Sequence, residues 1–151
     1  MANIDLKALK KLRDETAASI ADCRRALDES DGDFEKALKW VKKRATEIAA
    51  KKADRETSQG LIEAYIHQGG KVGVLVELLC ETDFVAKTEE FKHLAREIAM
   101  QVAALDPKDV EALLQQDYIR DSGQTIERMV KEVIGKLGEN ITVKRFVRFE
   151  I

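Results

Sequence analysis

Cysteine, histidine and long apolar runs are all scarce in these 151 residues, and each scarcity excludes something. Cys23 and Cys80 are the only cysteines; they lie in separate regions at no metal-ligand spacing, which argues against a disulfide framework or a zinc site. A reducing cytosolic setting is the simplest reading. With only His67 and His93, histidine-based catalysis has little material: His67 adjoins a glycine-rich turn, His93 adjoins an apolar helix position, and both read as structural or surface residues. No run approaches the roughly 18 apolar residues that a membrane-spanning helix requires. The leading Met1-Ala2-Asn3-Ile4-Asp5-Leu6-Lys7 has no basic flank followed by an apolar stretch, so no export signal is expected.

What is present is charge and enough apolar residue for a core. Hydrophobic residues make up 44% and charged ones 36%, the balance of a helix-rich domain. The net charge of −2 hides an asymmetry: residues 1–55 hold 14 Lys and Arg against 11 Asp and Glu, residues 56–151 hold 12 against 17. That imbalance is too mild for a nucleic-acid footprint, and the basic stretch 36–52 falls on the polar side of a helix. Neither direct nucleic-acid binding nor a membrane is expected.

Residues 1–50 are predicted to form three short helices. The first carries Leu6, Leu9 and Leu12 and breaks at Thr16-Ala17-Ala18. Ser19 can cap the second, lined by Ile20, Cys23 and Leu27 and ended near Ser30-Asp31-Gly32. Asp33 caps the third, with Phe34, Ala37, Leu38, Val41, Ala45 and Ile48 on its buried stripe. Helices this short bury little surface, so the unit should lean on its neighbour. Residues 51–60 contain no proline before Gly60 and are predicted to extend the third helix as a connector.

Residues 61–151 are expected to form an α+β body, a small antiparallel sheet packed with helices. Residues 61–66 and 72–79 flank the turn His67-Gln68-Gly69-Gly70 as a hairpin, and 72–79, apolar on both faces, reads as a central strand. Thr88 caps a long amphipathic helix with Phe91, Leu94, Ala95, Ile98, Val102 and Leu105 on one stripe. Asp106 and Pro107 are read as the start of a short helix, and Asp121-Ser122-Gly123 as a turn. Thr125 to Leu137 forms another helix closed by Gly138. In the last strand Ile141, Val143, Val147 and Phe149 are placed on one face, with Lys144, Phe146 and Arg148 on the other.

The search for chemistry finds little. Gly69-Gly70-Lys71-Val72-Gly73 lacks the Ser or Thr of a phosphate loop and precedes a strand, so it is a hairpin turn. Cys80 near Asp83 could pair a nucleophile with an acid, but nothing supplies the base. That pattern favours a binding protein without catalytic residues, cofactor or metal. The segment Cys80-Glu81-Thr82-Asp83-Phe84-Val85-Ala86 then stands out, because it sets a bare phenylalanine where the central strand ends. On composition alone this ring would fold back onto the long helix near Phe91.

Several segments resemble elongation factor Ts. They are Val74-Leu75-Val76-Glu77-Leu78-Leu79 running into the Cys80–Ala86 segment, Ile98-Ala99-Met100-Gln101-Val102-Ala103-Ala104, Leu137-Gly138-Glu139-Asn140-Ile141, and Lys144-Arg145-Phe146-Val147-Arg148-Phe149-Glu150. Leu12-Arg13, Asp22-Cys23-Arg24-Arg25-Ala26-Leu27 and Gly32-Asp33 also fit. The resemblance implies an N-terminal ubiquitin-associated-like three-helix domain, and nucleotide exchange on the GTPase elongation factor Tu without covalent chemistry. It implies that Thr82, Asp83, Phe84 and Val85 enter the GTPase near its magnesium and phosphate subsites, so that the ion is displaced and GDP leaves. It also implies a second contact through Leu12, Ile20 and Ala21, a bacterial cytoplasmic setting ahead of an organellar one, and either a homodimer or a 2:2 complex.

The sequence departs from the family pattern in places. Ala17 and Ser19 stand where glycines are usual, and Ile20 and Ala21 where methionines are. A helical segment of some tens of residues, usual between the positions of Val110 and Leu113, is missing, and a second core subdomain is not among these residues. The alternatives are a scaffold that binds the GTPase without exchanging nucleotide, and a thiol enzyme using Cys80.

Overall fold

The computed structural model describes residues 4–151; the leading Met1-Ala2-Asn3 lies outside them. Helix α1 (Leu6–Thr16) is capped by Asp5, α2 (Ile20–Glu29) by Ser19 and α3 (Phe34–Lys52) by Asp33, each cap side chain accepting from a backbone N–H of the first turn. Such caps satisfy donors that the helix itself cannot. Leu12, Cys23, Ala26, Leu27, Ala37 and Val41 form one core, with Phe34 and Leu38 packed at its edge. Leu6 is not part of it and is 77% exposed. A spacing of three residues drifts about 60° per step on a helix, so Leu6 stands about 120° around from Leu12. Ile20, the first residue of α2, is also exposed.

The helical connector expected over residues 51–60 is not there. Helix α3 stops at Lys52, residues 53–58 form turn and coil, and Gln59 and Gly60 already belong to strand β1 (Gln59–Ile66). What ends the helix is tertiary: the Asn140 side-chain amide donates to the carbonyls of Ala53 (3.3 Å) and Arg55 (2.8 Å).

Strand β2 (Val72–Cys80) is central in a three-stranded antiparallel sheet, between β1 and β5 (Ile141–Glu150). Between them in sequence come α4 (Asp83–Ala86), α5 (Glu89–Leu105), α6 (Val110–Gln115), a short hairpin of β3 (Asp117–Tyr118) and β4 (Asp121–Thr125), and α7 (Ile126–Leu137). The body is thus α+β. Val74, Val76 and Leu78 meet Phe91, Leu94, Ile98 and Val102 of α5 in the main core, joined by Ile126, Val130 and Ile134 of α7. Thr88 caps α5 and Thr125 caps α7, as expected. Leu105, at the outer end of α5, is exposed.

Three local expectations are corrected. The cap of α6 is Asp109, which accepts from the Ala112 N–H at 2.7 Å; Asp106 instead closes α5 in a left-handed conformation, and Pro107 sits between them. Asp121-Ser122-Gly123 is strand, because β4 pairs with β3, and Gln101 holds β3 and the turn after it: its amide donates to the Asp117 carbonyl and its oxygen accepts from the Ile119 N–H. In β5 the register shifts opposite Glu77/Leu78, so Leu78 faces Val143 while Glu77 faces Arg145. That bulge at Lys144 reverses the faces: Ile141 and Val143 are buried, Phe146 packs on the core, and Val147 and Phe149 point outward.

Helix α3 continues past its own core, and Ala49 packs into the main one. It crosses α7 at close range. A Cβ on Gly135 would lie 2.5 Å from the Ala45 Cβ and 2.8 Å from its Cα, so only glycine allows this approach. The three-helix unit is thereby seated on the body, which offsets its small core.

Candidate functional site

Where β2 ends, Thr82 caps α4, a single helical turn. Its hydroxyl accepts from the Val85 N–H at 3.4 Å, and the Lys87 N–H closes the turn on the Asp83 carbonyl. Thr88 brackets the other side: its hydroxyl donates to the Val85 carbonyl at 2.8 Å and accepts from the Phe91 N–H at 3.2 Å. Val85 and Ala86 face inward onto the main core. Phe84 then has only the outward direction, and it is 80% exposed. It does not fold back toward Phe91, which is fully buried.

Of the four motif residues, the structure presents two and uses two as anchors. Asp83 and Phe84 are exposed; Thr82 and Val85 are partly buried. Asp83 pairs with Lys87 at 3.1 Å, an exposed i,i+4 contact that constrains it weakly. The second predicted contact is only partly assembled. Ile20 and Ala21 are exposed at the start of α2, but Leu12 is fully buried in the three-helix core. Leu12 is therefore corrected from a surface contact to a packing residue.

Cys80 is buried, and its thiol donates to the Thr82 carbonyl at 3.1 Å. Burial, with the Glu139 and Glu81 carboxylates adding to it, pushes its pKa up to about 11. A thiol so strongly held in its protonated form is a poor nucleophile near neutral pH. Among the described residues no group of His, Cys, Asp and Glu is arranged to hold a metal ion, and no helix is long and apolar enough to cross a membrane. A cleft of about 740 Å³ opens among the α1–α2 loop, α3 and α7, but none of residues 82–85 lines it.

Two features were missed in the sequence. One is the outer sheet face, where Ile62, Ile66, Leu75, Val147 and Phe149 are exposed beside the Glu77–Arg145 ion pair at 2.6 Å. Only the bulge in β5 brings Val147 and Phe149 to that side. The other is the support under the motif: both oxygens of Glu139 accept from Thr82, one from its N–H at 2.9 Å and one from its hydroxyl at 2.7 Å. Glu139 lies inside a motif singled out in the sequence, yet nothing local marked its partner.

Comparison with known proteins finds relatives across the chain. The family model for elongation factor Ts matches residues 81–151, from the motif to the end of the chain. A protein named elongation factor Ts from Nostoc sp. is 46% identical over 151 residues, all of this chain and 48% of that protein. One from Thermoanaerobacter sp. is 40% identical over 192 residues, covering 97% of this chain and 94% of that protein. A chloroplastic elongation factor Ts from Rhodomonas salina is 43% identical, covering 99% of this chain and 90% of that one. The chain thus spans about half the length of the Nostoc relative and nearly all of the Thermoanaerobacter one. The latter alignment is longer than the chain itself, so that relative carries residues with no counterpart here.

This kinship defines a protein of the translation elongation class. The chain belongs to the elongation factor Ts family.

Proposed function

We propose that this chain is a nucleotide-exchange factor for elongation factor Tu. It binds the GDP form, and Phe84 wedges into the GTPase near the magnesium and phosphate subsites. Asp83 disturbs the polar network around the ion, the ion is dislocated, and GDP leaves so that GTP can bind. Ile20 and Ala21 form the second contact, without Leu12. The activity requires binding energy and no bond-breaking residue of this chain. One observation carries the reading: Phe84 is 80% exposed on a turn whose neighbours fix its direction.

A second copy of the chain is the proposed occupant of the outer sheet face, giving a homodimer or a 2:2 complex with the GTPase. The apolar area around Ile62, Leu75 and Phe149 supports that reading. The proposed compartment is the bacterial cytoplasm.

Stopped-flow release of a fluorescent GDP from purified elongation factor Tu tests the function. Adding the chain should accelerate release, and excess magnesium should oppose it, because ligands that weaken each other do so reciprocally. Tight association with the GTPase and no acceleration would establish a scaffold instead.

A further inference from the structure

We propose that Glu139 and Asn140 form a clasp that positions the Phe84-bearing turn and ties it to the end of α3. The proposal rests on the exchange reading for its functional consequence, but the geometry stands by itself. Gly138 ends α7 in the left-handed conformation (φ 75°), which a glycine adopts without strain, and the chain turns away from the helix axis. The two residues that follow reach in different directions. Glu139 takes both donors of Thr82, at 2.9 and 2.7 Å, across 57 positions of sequence. Thr82 in turn caps α4, so the carboxylate orients the cap and the cap orients the turn that carries Phe84.

Asn140 is 6% exposed and works on the other side. Its N–H donates to Glu81 Oε1 at 2.8 Å, and its side chain holds the carbonyls of Ala53 and Arg55 where α3 gives way to the strand. Two further contacts close the loop: Lys52 Nζ donates to the Gly138 carbonyl at 2.7 Å, and the Arg55 guanidinium lies 3.7 Å from Glu81. The side chains of Thr82, Glu139, Asn140, Glu81, Arg55 and Lys52 thus link the three-helix unit, the α7–β5 corner and the motif. Bonds to a carboxylate are roughly twice as strong as neutral ones, and each member of such a chain polarises the next. Glu139 is a positioning residue: it acts through Thr82 and need not touch the partner.

Amide hydrogen exchange on the full chain tests the clasp directly. In Glu139→Ala, residues 82–87 should exchange about 10- to 100-fold faster, since a hydrogen bond to a charged group contributes roughly a decade or more. Residues 94–102 of α5 should keep their protection. Glu139→Gln retains one uncharged acceptor for the Thr82 N–H and should restore part of it. In GDP release from elongation factor Tu, Glu139→Ala should lose about tenfold, and combining it with Phe84→Ala should add little, because both act through one turn. Unchanged protection at 82–87, or losses that multiply in the double variant, would overturn the clasp. If the unaltered chain fails to accelerate release, the exchange reading falls, and the hydrogen-exchange arm still decides the clasp.

Discussion

Replacing Phe84 by alanine separates folding from function, and the structure sets both magnitudes. Complete burial of a phenylalanine side chain contributes roughly 1.5–3 kcal/mol. Four-fifths of this ring is still exposed in the free chain, so roughly 1.2–2.4 kcal/mol of that is available to a partner. At about 1.4 kcal/mol per tenfold, Phe84→Ala should slow stimulated GDP release by about one to two decades. The fifth already buried amounts to about 0.5 kcal/mol, partly offset by alanine's better helix propensity. For a chain of this size the melting temperature should then move by no more than about 2 °C. Stopped-flow release from elongation factor Tu, run beside thermal unfolding, reads both numbers. Unaltered release with an intact fold would refute the wedge, and a large drop in melting temperature would show that the ring works inside its own chain.

Three further substitutions or treatments probe the frame that holds this ring. Gly135→Ala should destabilise the junction by about 1–3 kcal/mol, because its Cβ would meet the Ala45 Cβ at 2.5 Å, and thermal unfolding followed by circular dichroism should read the loss. Ala17→Gly should stabilise by about 0.5–1 kcal/mol, since Ala17 sits at φ 52°, where a side chain is strained; a melting temperature that fails to rise would count against it. Cys80, raised to about 11, should alkylate on the order of a hundredfold more slowly at pH 8 than in the unfolded chain, as mass spectrometry of iodoacetamide adducts can show. The same shift fixes a sign: the folded state holds this proton more tightly than the unfolded chain, so its contribution is complete below pH 9 and lost as pH rises through about 11.

What could be read in advance was short-ranged. Ser19, Asp33, Thr88 and Thr125 cap their helices because an oxygen three residues ahead of an N–H needs no knowledge of the rest of the fold. The central position of β2 was legible for a similar reason, its apolar character on both faces being a local pattern. Several of the misreadings involve distant partners. The bulge at Lys144 depends on how β5 pairs with β2, and the end of α3 depends on Asn140, 85 positions from Arg55. Asp121 to Gly123 became strand because Gln101 on α5 clamps the opposite strand. Phe84 itself is instructive: composition favours burying such a ring, and what turns it outward is Val85 and Ala86 already occupying the inward direction.

The exposed ring alone limits how large the proposed acceleration can be. One to two decades is all that a single phenylalanine can supply, so any greater effect has to come from contacts that distinguish the empty GTPase from the loaded one. Ile20 and Ala21 offer little area by themselves, alanine least of all. Their value lies in being held in fixed relation to Phe84, since a contact fixed before binding loses less freedom on association. That relation depends on the Gly135–Ala45 approach and on the hydrogen bonds around Asn140. Loosening either should therefore cost exchange even with every contacting side chain intact. Such a loss should appear as weaker binding to the nucleotide-free GTPase, with the stimulated rate at saturation changed less.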